Sequence, residues 1–293
     1  MKKNYIIVTP VRDEETNIEE LVQSVISQTI RPLEWIIVND GSTDSTVKII
    51  EKYLSANEWI KLIHKKDRGY YLLGSGRGEA FYFGFNLIKN NNWDYLSIMD
   101  GDVAFNSNYF QVLLGRFEEN PKLGIASGKT FIKNGDQLVC ELCPDDHVRG
   151  PLKTYRRKCW DDIGGVEVRR LWDTIDEMKA QKLGWETRSY YDLKIIHKRP
   201  IDARQKNPFE SRYILGKNFY NIGYHPLFMC VKCLKVMALE RPRILAGFYL
   251  FLGYLTSLLK RDKIYDKELA KFIRQKQLKR FNLHHLITYF QKR

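Results

Sequence analysis

The residues best suited to chemistry are Asp100, Gly101 and Asp102, which directly follow the mostly apolar run Tyr95–Met99. That run predicts a buried strand. Two carboxylates two residues apart at a strand end can ligate a hard divalent cation such as Mg²⁺ or Mn²⁺, which also binds phosphate oxygens. Gly101 lets the backbone turn and lets a ligand approach closely. Because Asp and Gly also form ordinary turns, the motif becomes informative only together with the polar groups at other strand ends.

Two more polar segments, Thr9–Glu15 and Asn39–Asp44, also stand where strands are predicted to end. Carboxylates at neighbouring strand ends repel one another unless a cation or hydrogen-bond donors lie between them. Each segment alone could cap a helix, and Ser42, Thr43 and Asp44 are expected to do so in part. The three segments together predict one shared site.

The three polar segments lie at the ends of strands that alternate with helices along the first 130 residues. The strands are predicted at Tyr5–Thr9, Leu33–Val38, Ile60–His64 and Tyr95–Met99, and the helices at Ile18–Ile26, about Asp44–Leu54 and about Glu79–Ile88. This alternation predicts an α/β fold with a doubly wound, mostly parallel sheet. Ligands of such sheets bind beyond the carboxyl ends of the strands.

The rest of the chain is less regular. Up to His197 the pattern predicts a strand at Leu123–Ser127, a helix at Trp172–Leu183 closed by Gly184, and a strand or hairpin at Trp185–His197. Beyond it we expect a mobile loop at Lys198–Lys217 and apolar helices at Pro226–Leu239 and Arg243–Leu259. We therefore expect a catalytic domain over residues 1–217, with a nucleotide-binding half at about 1–130 and an acceptor-side half at about 131–217. Residues 218–293 would form a C-terminal helical region associated with a membrane.

The net charge of +13 is unevenly distributed. Residues 1–130 contain 15 Lys and Arg against 17 Asp and Glu, whereas residues 131–293 contain 33 against 18. Such asymmetry suggests an anionic partner: membrane lipid, a phosphorylated substrate or nucleic acid. Nucleic acid is not expected, because long apolar runs interrupt the basic stretch and no nucleic-acid-binding module is visible.

The apolar run Ile244–Leu259 is shorter than the roughly 20 residues that span a bilayer. Its basic flanks are typical of a segment lying at an anionic membrane surface, but a hairpin packed on the catalytic domain or a dimer interface would also bury it. The short run after Met1 does not resemble a signal peptide. We therefore expect a cytoplasmic protein, peripheral on the cytoplasmic face of the membrane.

The five cysteines include Cys140-x-x-Cys143 and Cys230-x-x-Cys233, which have the spacing of two halves of a zinc site. Cys230 and Cys233 stand in an apolar helical stretch, where Cys acts as a small hydrophobic residue. The odd count and the expected cytoplasmic setting argue against a disulfide framework.

In order and approximate spacing, the motifs resemble those of the family 2 glycosyltransferases of GT-A fold. The matching residues are Thr9-Pro10 with Glu14-Glu15, Asn39–Asp44, Asp100–Asp102, and Gly164-Gly165 with Trp172-Asp173 and Gly184. They span about residues 4–197 and leave out the C-terminal hundred. The resemblance implies an inverting, metal-dependent enzyme that moves a hexose from a UDP- or GDP-sugar to an acceptor hydroxyl or phosphate, such as that of a lipid-linked glycan.

The resemblance also implies residue roles. Asp40 would accept a hydrogen bond from the imide N–H of uracil or guanine. Asp102 would hold Mn²⁺ or Mg²⁺, and Asp100 would share the cation or contact the ribose. His197 could be a third ligand or could bind the diphosphate, and Asp173 would be the catalytic base. Asp176 is the alternative base. The remaining nucleotide-sugar-binding positions would be Pro10, Arg12, Glu14, Val38, Arg77, Asp100 and Gly101.

Arg12 and Asp13 stand where the family often has an aromatic residue and Asn. Arg12 could stack on the base, pair with phosphate, or form a surface ion pair with Glu14 or Glu15. The glycine-rich segment Gly74–Glu79, which includes Arg77, could be a binding loop or a flexible connector. A basic set in the predicted mobile loop could close over the diphosphate: Arg199, Arg204, Gln205, Lys206 and Arg212.

Three other functions remain possible from the sequence. A sugar-phosphate nucleotidyltransferase also uses a doubly wound sheet, but it would need a glycine-rich basic loop after the first strand, where this chain has Pro10–Glu14. A nucleic-acid-binding protein would bind RNA or DNA with strong salt dependence. A non-catalytic membrane scaffold would show no metal-dependent nucleotide binding.

Overall fold

The computed structural model describes residues 3–67, 69, 75–135, 137–141, 143–198, 207–239 and 243–280. By its internal contacts the chain divides into two units, Met1–Ile201 and Asp202–Arg293. The boundary expected from the sequence, after residue 217, lies inside a helix of the second unit, Pro208–Asn221.

The first unit alternates strands and helices. Its strands are β1 (Tyr5–Val11), β2 (Glu34–Asn39), β3 (Ile60–His64), β4 (Tyr95–Met99), β5 (Val103–Phe105), β6 (Leu123–Asn134), β7 (Gln137–Cys140), β8 (Leu152–Arg156) and β9 (Glu186–His197). Its helices are α1 (Ile18–Ile26), α2 (Thr46–Leu54), α3 (Ser75–Phe85), α4 (Tyr109–Glu119), α5 (Arg157–Ile163) and α6 (Trp172–Lys182).

All nine strands form one sheet, in the order β3-β2-β1-β4-β8-β6-β9-β5, with β7 paired to β6. The first four strands are parallel. Strand β8 then pairs antiparallel with both β4 and β6, and β9 runs parallel to β6. The predicted α/β fold is therefore confirmed, with a parallel first half and a mixed second half. The carboxyl ends of β1, β2 and β4 lie at one edge.

The core lies on both faces of the sheet. Successive residues of β1 alternate between the faces: Ile7 packs in one buried cluster with Trp35 and Phe110, whereas Ile6 packs in the other with Phe81. Because both faces are covered, the central strands are apolar throughout rather than alternating. Rigid central strands of this kind hold the strand-end residues in place.

Two local predictions were wrong. Helix α3 begins at Ser75 rather than near Glu79, so Arg77 lies on a helix and not in a loop. The predicted mobile loop Lys198–Lys217 contains the start of a helix, Pro208–Asn221, whose N-cap Asn207 accepts hydrogen bonds from the main-chain N–H groups of Phe209 and Glu210. Gly74 and residues 199–206, including Arg199, Arg204, Gln205 and Lys206 of the proposed lid, lie outside the described residues.

The second unit is helical: α7 (Pro208–Asn221), α8 (Pro226–Leu239), α9 (Arg243–Lys260) and α10 (Lys267–Lys279). Helices α7 and α9 approach closely at glycines. A Cβ atom on Gly216 would lie 2.0 Å from the main-chain oxygen of Leu250, and one on Gly253 would lie 1.9 Å from that of Tyr213. Among the helices that the structure describes, none combines the length and the apolar character needed to cross a bilayer.

Candidate active site

Asp100, Asp102 and His197 form a cluster at the carboxyl end of β4. Strand β4 ends at Met99, and β5 pairs antiparallel with β9 so that Val103 lies opposite His197. This pairing brings His197 Nε2 to 3.6 Å from Asp102 Oδ1. One ligand atom from each of the three residues lies within 4.8 Å of the others, an arrangement that no other group of His, Cys, Asp or Glu attains in the described part of the chain.

The electrostatics of this cluster favour a cation. Burial raises the pKa of Asp100 to about 6, a shift that Arg77 opposes and the Asp102 carboxylate increases. Burial disfavours a charged His197, but the hydrogen bond and the charge of Asp102 outweigh it and raise the pKa of that imidazole. A cation between these groups would relieve the repulsion between the Asp100 and Asp102 carboxylates, which contributes to the Asp100 shift.

The donor set itself fits a divalent metal. Two carboxylates and an imidazole suit Mn²⁺, and the carboxylates alone would suit Mg²⁺ with water completing the shell. The buried Nδ1 of His197 has no hydrogen-bond partner among the described residues. Its ring is therefore oriented by the strand pairing and by Asp102.

The cysteine pairs make no comparable site within the residues described. Cys230 is exposed on α8 while Cys233 is buried, so the two side chains face different surroundings. Cys140 and Cys143 are half-buried near the end of β7. All five cysteines are free thiols, as expected from the sequence.

Gly101 lies directly against the end of β1. A Cβ atom at this position would lie 2.9 Å from Glu14 Cγ and 3.1 Å from Val11 Cγ1. Glu14 is buried and accepts a hydrogen bond from the side-chain amide of Asn17. The structure thus brings two of the three predicted polar segments together, and Gly101 is required by close packing as well as by the turn.

Asp40 joins the same edge from β2. Its main-chain N–H donates to the carbonyl oxygen of Val11, and its carboxylate lies 3.3 Å from Lys65 Nζ. Arg12 donates to the main-chain oxygen of Asp40 and to the carboxylate of Asp67, at 2.9 Å each. Arg12 therefore forms a close ion pair with Asp67, and its Nε lies 3.9 Å from Asp13 Oδ2.

Two other predicted nucleotide-binding positions differ in accessibility. Pro10 and Val38 are paired across β1 and β2. Pro10 is half-buried, whereas Val38 is fully buried and faces α3, where a Cβ atom on Gly84 would lie 2.5 Å from Val38 Cγ2. Val38 is thus a core residue beneath the strand ends, and we leave it out of the binding surface.

The remaining acidic residues of the first two segments hold those segments to each other. Asp13 accepts a hydrogen bond from the main-chain N–H of Thr43, and Asp44 accepts one from that of Glu15. Glu15 accepts one in return from the main-chain N–H of Ser45. These carboxylates are structural, whereas the carboxylate of Asp40 lies beside Lys65 Nζ.

Arg77 connects the cation cluster to Asp173. Its Nε lies 2.9 Å from Asp100 Oδ1, its Nη2 donates to the main-chain oxygen of Gly150, and its guanidinium stacks 4.9 Å from the centre of the Trp172 ring. A Cβ atom on Gly150 would lie 3.3 Å from Arg77 Nη1 and 3.6 Å from Asp173 Oδ2. The half-buried Asp173 carboxylate, at the start of α6, is thus in the same site as Asp100.

A buried polar network beneath α6 was not predicted. Lys153 of β8, with no exposed surface, contacts the carboxylates of Asp176 at 2.8 Å and Glu177 at 3.0 Å. Tyr155 donates to Asp176, and His147 pairs with Glu177 at 2.8 Å. Asp176, the alternative base, is therefore buried and fully engaged. The sequence signal that could have indicated this network is the pair of adjacent acidic residues, Asp176 and Glu177, in a helix with few apolar neighbours.

The comparisons with known proteins agree with this geometry. A family model described as glycosyl transferase family 2 matches residues 6–141. Residues 6–141, less than half of the chain, are thus similar to family 2 glycosyltransferases. The poly-β-1,6-N-acetyl-D-glucosamine synthase of Staphylococcus aureus is 28% identical over 130 residues, which are 44% of this chain and 29% of that protein. The chain thus matches less than a third of the length of this curated relative.

Solved structures identify the fold as GT-A. The mannosyltransferase PcManGT from Pyrobaculum calidifontis, solved with GDP-Man and Mn²⁺, superposes with a TM-score of 0.56 at 12% identity, covering 98% of this chain and 83% of that one. Staphylococcus aureus TarS 1-349, solved with UDP-GlcNAc, gives a TM-score of 0.54 at 17% identity, covering 92% and 78%. At these identities the likeness concerns the fold alone.

Proposed function

We propose that this protein is an inverting, metal-dependent glycosyltransferase that moves a hexose from a UDP- or GDP-sugar to an acceptor hydroxyl or phosphate. The observation that carries the proposal is the position of Arg77 between Asp100 of the cation cluster and the carboxylate of Asp173. One site then contains groups for a diphosphate and a separate carboxylate that can accept a proton. The family match and the nucleotide-sugar complexes of the structural neighbours support the same chemistry.

The donor would bind across the strand ends. The carboxylate of Asp40 would accept the imide proton that uracil and guanine offer and that adenine and cytosine lack. Pro10, Arg12, Glu14 and Gly101 would form the surface around the nucleoside. Arg12 is held by Asp40 and Asp67, so its guanidinium would be presented to the base in a fixed orientation.

Asp100, Asp102 and His197 would hold Mn²⁺ or Mg²⁺. The cation would offset the charge that develops on the diphosphate as the sugar leaves. Arg77 would contribute a second positive charge beside it, through a planar guanidinium that can bind phosphate oxygens in a bidentate manner.

Asp173 would act as the general base. Its carboxylate would take the proton of the acceptor hydroxyl while that oxygen attacks the anomeric carbon from the face opposite the diphosphate. A single displacement of this kind inverts the anomeric centre. Trp172, adjacent in sequence, would offer an apolar face to the acceptor sugar. We infer a glycan or lipid-linked glycan as the acceptor.

A thermal-shift titration tests the donor and metal assignments together. We expect UDP or GDP to raise the melting temperature in the presence of Mn²⁺, and ADP and CDP to leave it unchanged. In Asp102→Asn the nucleotide effect should be lost, whereas Asp192→Asn, an exposed carboxylate paired with Arg116, should retain it. A Mn²⁺-independent response to all four nucleotides would contradict the proposal.

A further inference from the structure

Helices α8 and α9 present apolar side chains to the outside of the second unit. On α8 the exposed residues recur at helical spacing and include Leu227, Val231 and Leu234. On α9 they extend from Ile244, with 72% of its surface exposed, to Leu259, with 74%. Between them lie Leu245, Phe248, Leu252 and Leu258, all exposed. Together we term these residues the α8–α9 apolar face. Many large apolar side chains exposed on two packed helices mark an interaction site.

Helix α9 buries small residues and exposes large apolar ones, which is the reverse of the pattern of a helix in water. Its buried side is built mostly of small residues, with Ala246, Gly247, Gly253 and Ser257 beside Leu250 and Tyr254. The small residues allow close backbone contact: a Cβ atom on Gly247 would lie 2.6 Å from the main-chain oxygen of Cys233 in α8. Helices in water bury their large apolar side chains, whereas helices in lipid pack through small residues and leave large ones outward.

The charge of the second unit distinguishes between two partners for the α8–α9 apolar face, a lipid surface and a second copy of this unit. The described residues 207–239 and 243–280 contain 14 Lys and Arg against 4 Asp and Glu. Exposed cations follow the apolar residues directly at the end of α9, as Lys260, Arg261 and Lys263, and Lys235 is exposed on α8. Anionic lipid headgroups attract such cations, whereas a second copy of this unit would bring like charges together.

We propose that the α8–α9 apolar face inserts into the interfacial region of a bilayer that contains anionic lipid. The helices lie in the membrane surface rather than across it, in agreement with the finding that none of the described helices can span a bilayer. Insertion covers the outward Leu, Ile and Phe side chains, and the lysines and arginines at the helix ends bind lipid phosphates. This property does not depend on the proposed transferase activity.

Vesicle flotation of the full chain tests the proposal without any donor. The protein is mixed with vesicles of phosphatidylcholine alone or of phosphatidylcholine and phosphatidylglycerol in equal parts. We expect flotation with the anionic vesicles and about tenfold less with the neutral ones. Raising the salt concentration should reduce, but not abolish, the anionic binding, because part of it is apolar.

Matched variants assign the binding to this face. Leu234→Glu with Leu259→Glu should lower flotation about tenfold or more, because a charge would enter the apolar layer. Leu183→Glu, an equally drastic change at an exposed leucine of the first unit, should leave flotation unchanged. The melting temperature of each variant without ligand shows that it is folded.

Three outcomes would overturn the proposal. One is an absence of flotation with either kind of vesicle, and another is equal flotation of the wild-type chain and the double variant. The third is a dimer, detected by light scattering, that the double variant converts to monomer while neither protein binds vesicles; the face would then join two copies. Failure of nucleotide binding would leave the flotation result intact.

Discussion

Lys153 donates a hydrogen bond from Nζ to the main-chain oxygen of Asp173 over 2.6 Å. The lysine lies on β8 and is completely buried, whereas Asp173 stands at the start of α6. Burial opposes its charge, but the carboxylates of Asp176 and Glu177 outweigh burial and raise the pKa of Lys153. A permanently charged side chain in the sheet therefore fixes the position of the residue that we propose as the catalytic base.

Replacing Lys153 with Met should destabilise the first unit by about 3–5 kcal/mol, because two buried carboxylates would lose their cation. The free energy of unfolding, measured with urea, tests this. Lys158→Met is the control, since that lysine is 74% exposed and forms only a surface ion pair with Asp162. Equal stability of the two variants would show that the buried network contributes little.

Asp173→Asn should lower the transfer rate from radiolabelled UDP- or GDP-sugar by roughly 10²–10⁴-fold, the range expected for loss of a general base. Donor binding, followed by the thermal shift with Mn²⁺, should be retained because Asp173 is not a ligand of the cation. Asp161→Asn, an exposed carboxylate on α5, is the control for a generic loss of charge. Turnover of Asp173→Asn at the wild-type rate would remove Asp173 from the mechanism.

Gly101→Ala should weaken nucleotide binding and cost about 1–3 kcal/mol of stability, since its Cβ atom would lie 2.9 Å from the buried Glu14 side chain. The control is Gly115→Ala in the middle of α4, where the nearest atom to the new Cβ would be Lys3 Nζ at 3.8 Å. That substitution should stabilise the protein by up to about 1 kcal/mol through helix propensity. If Gly101→Ala behaved like Gly115→Ala, the close packing at the strand ends would be refuted.

His147 should make stability depend on pH. Burial lowers its pKa, but the adjacent Glu177 carboxylate outweighs burial, so the folded state raises the pKa of His147 above its ordinary value. The charged ring therefore stabilises the fold fully below about pH 6.5, and this contribution is lost as the pH rises through the folded-state pKa. The unfolding free energy of wild type minus that of His147→Gln should shrink as the pH rises above about 6.5. A constant difference would contradict the pairing with Glu177.

The parallel half of the fold and most of the site could be predicted from the sequence. Strand–helix alternation is a strong periodic signal, and Asp40, Asp100 and Asp102 each follow a strand whose apolar character is clear. His197 was predicted from its place at a strand end, although its partner strand β5 has only three residues and was not recognised. Contact between His197 and Asp102 depends on long-range pairing that no local pattern specifies.

The residues that sequence reasoning missed are charged and buried. Lys153 and Glu177 resemble solvated surface residues in composition, and the burial of Asp176, the alternative base, was not foreseen. Their ion pairs form only where the fold brings Lys153 of β8 against Asp176 and Glu177 of α6. The error at Lys198–Lys217 was avoidable. Asn207 followed by Pro208 is a helix start, with a capping side chain and a proline at the first helical position.

Strand β9 contains a bulge that affects how the site would tolerate insertions and deletions. Its pairing with β6 passes from Gly128–Tyr190 to Lys129–Lys194, so three residues of β9, Tyr191 to Leu193, have no counterpart on β6. Successive side chains of a strand point to opposite faces of the sheet. An insertion or deletion of one residue elsewhere in β9 would therefore turn the imidazole of His197 to the opposite face. A change of length within the bulge would leave the last four residues of β9, with His197 among them, in their pairing with β6.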